Sequence, residues 1–130
     1  RWLKRSAITN IMLISLAFTF IRWMVTAHYA DSLLIITLMQ CLHAFSFGAM
    51  HVASIHFVHS NFAQHNQGRA QALYSSMGFG AGGAAGAYLS AYIVEGAGYS
   101  AAFIASSVLS LIAIIFVLAM RYQLSLRASS

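Results

Sequence analysis

Residues 33–58 read LLIITLMQCLHAFSFGAMHVASIHFV, a run of 26 residues without one Asp, Glu, Lys or Arg. A helix crosses the roughly 30 Å of bilayer hydrocarbon with about 20 mostly apolar residues, so this run is long enough to span. Three further stretches qualify on either side of it. Residues 7–27 are apolar apart from Asn10 near the start and Arg22 near the end, and 70–94 and 101–120 are uninterrupted by charge. Short connections are expected at 27–32, 59–69 and 95–100. No segment alternates apolar and polar residues with a period of two, which argues against a β-barrel. The expected class is an all-α membrane protein, with residues 1–130 forming one region of four transmembrane helices.

The composition agrees. Hydrophobic residues make up 60% of the 130 and charged residues 7%, whereas soluble domains are about one quarter charged. Too little polar surface exists to enclose a water-soluble core, which excludes a soluble enzyme, a disordered tail and a disulfide scaffold. The single Cys41 has no internal partner for a bridge.

The net charge of +5 reads as topology and implies no nucleic acid. With four spans, Arg1, Lys4, Arg5, Arg69, Arg121 and Arg127 all fall on one side, while Asp31 and Glu95 occupy the two opposite loops. Basic residues are retained in the cytoplasm during insertion, so both termini and the middle loop are expected to be cytoplasmic, in the inner or plasma membrane. The first apolar run is too long for a signal peptide, and His28-Tyr29-Ala30 is a poor cleavage site. Without an initiator Met, the chain reads as a piece of a larger protein.

Chemistry concentrates on 33–58. At 100° per residue, Gln40, His43, Phe47, His51 and Ser54 fall within about 80° of one another. A polar stripe on a spanning helix must face a bundle interior or a wet cavity, because unpaired polar groups in hydrocarbon cost kilocalories. One such His would serve as interhelical packing, but two with a Gln point to a stripe that faces solute. His56 points elsewhere and, like His59 and His65, is expected at the interface. Arg22 is the one charge inside a span, about 7.5 Å outward of the centre of 7–27, and His43 lies about 4 Å outward of the centre of its own helix. Depth leaves two readings of Arg22 open: a fixed cation beside His43, or a side chain that snorkels outward towards Asp31.

Gly78, Gly82 and Gly86, followed by Ser90, recur every four residues. Such a ladder lets another helix backbone approach closely, and Gln71 and Ser75 share its face. The glycines lack the strand-then-helix context of a nucleotide loop. Residues 101–120 read as lipid-facing scaffold, with Ser106, Ser107 and Ser110 in the outer half.

The run 40–51, Gln-Cys-Leu-His-Ala-Phe-Ser-Phe-Gly-Ala-Met-His, resembles the tenth helix of major facilitator superfamily transporters. The nearest branch is the group of phenylpropionate permease and the oligosaccharide–proton symporters, which are lactose permease-like. Residues 67–76, Gln-Gly-Arg-Ala-Gln-Ala-Leu-Tyr-Ser-Ser, with the glycine run to Gly86, resemble that group's eleventh helix, and Arg22-Trp23 resembles a basic position late in its ninth. The resemblance implies that the chain is the last four of twelve helices, the C-terminal part of a major facilitator fold. It places His43 at the group's coupled solute and proton site and Arg22, within one residue, at the arginine paired with that site. Ser46 stands where the group has an acid, and Gln40 where it has a lysine. Proton carriage would then fall to a carboxylate on another helix or to His43, histidine being the residue type whose unperturbed side chain titrates near physiological pH. In the family the tenth helix lines the cavity, the eleventh packs against the other half, and the twelfth faces lipid.

The expected function is secondary active transport, not enzymatic catalysis: proton-coupled uptake of an aromatic acid, sugar or nucleoside by alternating access. His43, Gln40, His51 and Arg22 are the candidate solute and proton residues, and Gly78, Gly82 and Gly86 the packing residues. The implied partners are solute, protons, the lipid bilayer and eight preceding helices, with no cofactor and no metal. The alternative is a four-helix haem electron carrier, which needs facing His residues on two helices, whereas here those inside spans share one. A four-helix drug/proton antiporter would need a carboxylate within a span, and none is present.

Overall fold

The computed structural model describes the backbone of residues 2–129 and the side chains of 7–123, 125 and 126. Helix α1 is Trp2–Tyr29 and α2 is Leu33–Asn61. They are joined by a turn in which the Ser32 amide donates to the Tyr29 carbonyl at 3.2 Å. Ser32 then caps α2, accepting from the Ile35 N–H, which satisfies one of the donors left open at a helix start. At the other end the Phe62 amide closes on the Val58 carbonyl. The Gln67 side chain donates to the carbonyls of His59 and Phe62, at 3.1 and 3.3 Å. Carbonyls left open by the end of a helix are thus met by one amide, and the middle connection shortens to two residues before α3, Gln64–Ser75.

From α3 the chain stays helical. A six-residue π turn, Ser76–Ala81, leads into α4, Gly82–Ser129. The expected loop over 95–100 is replaced by a break at one residue, Gly98, with φ 83° and ψ 173°. Only glycine enters that region readily, since a Cβ would clash with the backbone. Three stretches, Ala7–Tyr29, Leu33–Asn61 and Gln64–Gln123, are long and apolar enough to cross a membrane. The last, straight, would measure about 90 Å, three times the hydrocarbon thickness, and it is divided at Gly98.

Contacts fix the directions. Along α1 and the arm 99–123, Ser100 donates to the Ala27 carbonyl at 2.7 Å, Phe103 stacks on Trp23 at 5.5 Å, and Arg121 donates to Asn10 Oδ1 at 2.9 Å. The two run antiparallel. Helix α2 runs antiparallel to α1, with Phe45 edge-on to Phe18 and Ala53 packed with Met12 and Val117 in the small core. Tyr74 and Phe79 meet His51 and Phe47, so the arm 64–97 runs parallel to α1, and the chain reverses at Gly98.

Helix α1 is the central element, gripped by α2 on one side and the arm 99–123 on the other. Its buried residues are Thr9, Met12, Ser15, Arg22 and Ala27, small apart from Met12 and Arg22. Ser46 of α2 and Ser107 of α4, each 1% exposed, oppose them. Small residues let backbones approach where no hydrophobic force drives helices together in lipid. The Ser46 hydroxyl bonds within its own helix, to the His43 carbonyl, whereas that of Ser107 is set to meet both the Ile104 carbonyl and Met24 Sδ of α1. The expectation of a purely lipid-facing 101–120 is therefore corrected. Ser107 and Ser110 are buried, and Ile112, Ile115 and Phe116 form the exposed face.

Candidate functional site

The stripe on α2 forms a graded surface. Gln40 is exposed, His43 and His51 are half-buried, and Ser54 is buried, with its hydroxyl donating to the Met50 carbonyl at 2.9 Å. One turn of helix separates each ring from the next. His43 lies 5.6 Å from Phe47, and Phe47 stacks on His51 at 6.3 Å with ring planes 4° apart.

The arm 64–97 completes an aromatic enclosure. Phe79, from the π turn, sits 5.7 Å from His51 and 6.0 Å from Phe47, and Tyr74 sits 6.1 Å from both His51 and Phe79. His51 Nδ1 is buried without a hydrogen-bond partner. A buried unpaired nitrogen costs about 1–3 kcal/mol.

Arg22 lies on the neighbouring helix α1. It is 5% exposed, and its guanidinium carbon lies 3.8 Å from the centroid of the neighbouring Trp23 ring, itself backed by Phe103. Asp31 is exposed, and among the described residues no hydrogen bond joins it to Arg22. The Arg22 Nε is buried without a hydrogen-bond partner. A cation over an indole face gains about 2 kcal/mol when desolvated, which offsets only part of the burial. The stripe thus offers two imidazoles with three aromatic rings, Phe47, Tyr74 and Phe79, and the neighbouring helix carries the buried Arg22.

The glycines behave differently from one another. A Cβ at Gly78 or Gly86 would meet nothing within 4 Å, so among the described residues no helix packs on those rungs, whereas at Gly82 it would meet the Met77 carbonyl at 3.0 Å. Ser46 faces α1 and lies outside the stripe. On the opposite side of α2 an apolar groove of about 480 Å³ runs against Ile8 and Ile11 of α1, with His56 among its lining residues. His56 therefore points away from the stripe.

Tyr74 and Phe79 were not singled out from sequence. They stand five residues apart, off the four-residue step that shares a face of an α-helix, and the wide turn is what brings them together. An aromatic pair at that spacing beside a glycine cluster is the signal that was there to find.

A family model described as the MFS_1 like family matches residues 1–105. No curated protein and no solved structure shows significant similarity to the chain.

Proposed function

The chain belongs to the MFS_1 like family of the major facilitator superfamily, and on that premise we propose that it is the C-terminal, four-span part of a proton-coupled transporter for a small organic solute. Major facilitator proteins are transporters, not enzymes, and this one is a multi-pass membrane protein. The division of the last apolar stretch at Gly98 supports four crossings. The one-sided distribution of the basic residues supports cytoplasmic termini for this piece in the inner or plasma membrane.

The row His43–Phe47–His51 with Arg22 at its outer end carries the reading. Ionisable groups inside membrane helices are expensive and mark solute or proton pathways. Here His43 and His51 sit on one face of α2, and rings from the arm 64–97 wall His51. Solute binds between this surface and preceding helices of the same transporter, near the midplane, where repeats rock in alternation. Flat apolar faces with polar edges suit the enclosure: an aromatic acid, a sugar or a nucleoside. His43 exchanges the proton, Gln40 and His51 contact solute, and Arg22 holds a fixed positive charge beside them. The exposed glycine face of Gly78, Gly82 and Gly86 receives a helix from the other half.

Uptake of radiolabelled phenylpropionate, lactose and uridine by cells producing the full-length protein tests this. One of the three should accumulate and should leak out when a protonophore collapses the proton gradient. Accumulation that persists with protonophore would overturn the coupling, and accumulation of none would overturn the solute classes.

A further inference from the structure

The π turn at Ser76–Ala81 sits in the one arm whose side chains close over His51. In an α-helix each amide donates four residues back, and a π turn reaches five. The Gly82 amide donates to the Met77 carbonyl, five back, and the Cβ of any other residue at 82 would lie 3.0 Å from that same oxygen. Both features meet at one atom. A Cβ at 82 would crowd the wide turn, whereas Gly83, one residue on, has open space where its Cβ would be.

The turn positions the rings. Phe79 lies within it and touches both Phe47 and His51, and Tyr74, just before it, touches His51 and Phe79. If Gly82 bonded instead to Gly78, in ordinary α geometry, everything before the turn would rotate about 100° and shift about 1.5 Å along the axis. Tyr74 would then swing off His51 and Phe79 would leave the Phe47 face.

We propose that Ser76–Ala81 is an α/π switch, in which the π state closes Tyr74 and Phe79 over His51 and the α state opens that ring to the pathway. Gly82 is a positioning residue that keeps the π state accessible, and it touches no solute. The switch is independent of which solute or ion is carried, so its test reads accessibility and not transport.

The experiment uses the full-length protein in native membranes, carrying Cys41→Ser and His51→Cys, and follows reaction of the new thiol with a small membrane-impermeant maleimide. Gly82→Ala crowds the π state, because its Cβ would lie 3.0 Å from the Met77 carbonyl. It should speed labelling about tenfold, the population shift given by about 1.4 kcal/mol of overpacking. Gly83→Ala should leave the rate unchanged. Placing the new thiol at Phe47 instead of His51 repeats the test if the His51→Cys protein fails to reach the membrane. Equal labelling rates in the Gly82→Ala and Gly83→Ala proteins would overturn the switch, as would faster labelling in both.

Discussion

At the scale of single residues, some polar groups tie helices together and others are buried with a nitrogen left unpaired. Ser100 and Asn10 belong to the first kind, tying the arm 99–123 to α1. Such interhelical bonds are worth about 0.6 kcal/mol in membrane proteins, so Ser100→Ala should lower stability by that much in a reversible denaturation series in detergent. A loss of several kcal/mol would show that Ser100 does more than tie α1. Arg22 and His51 belong to the second kind, each with a buried nitrogen that no hydrogen bond satisfies. Arg22→Leu should abolish uptake while the amount of protein in the membrane stays the same, measured by immunoblot beside transport. Retained uptake would remove Arg22 from the pathway. The sequence exposed Arg22 and the two stripe histidines because charge and imidazole are rare in spans. It did not expose Thr9, Ser15, Ser46 or Ser107 as the buried seam of α1, since small polar residues look alike on lipid-facing and packed surfaces.

At the scale of elements, two glycines do what length and hydropathy cannot announce. The apolar runs at 7–27 and 33–58 predict α1 and α2 closely, because a spanning helix is written in its composition. The reversal between the last two runs was expected as a loop and is one residue, Gly98, at φ 83°. Gly98→Ala should cost about 1–3 kcal/mol, the strain of a side chain in that region, read as a lower melting temperature of the purified protein. A neutral result would mean that the two arms do not need this sharp reversal. The π turn was equally hidden, since it is one residue of excess winding with no composition of its own. Gly82 was expected as one rung of a three-glycine ladder, yet its Cβ position faces the Met77 carbonyl of its own helix, unlike those of Gly78 and Gly86. Gly78→Ala and Gly82→Ala should therefore differ in the labelling assay above. Gly82→Leu, bulkier still, should reduce transport or membrane yield.

At the scale of the molecule, α1 is enclosed on two sides while the stripe of α2 and the glycine face of the arm 64–97 stand open, with Phe47, Met77, Tyr88 and Tyr92 at least half exposed. Surfaces of this extent in a bilayer protein are covered by lipid or by other helices. The account takes the stripe and glycine face as the surfaces that meet the rest of the transporter, so the 130 residues expressed alone should catalyse no solute uptake. Within the full-length protein, the central claim is that His43 exchanges the transported proton. The direct measurement is the pH of lightly buffered, de-energised cells on addition of the accumulated solute. The medium should turn alkaline as proton and solute enter together, and with His43→Ala solute entry should produce no alkalinisation. An unaltered pH change in that variant would contradict the account.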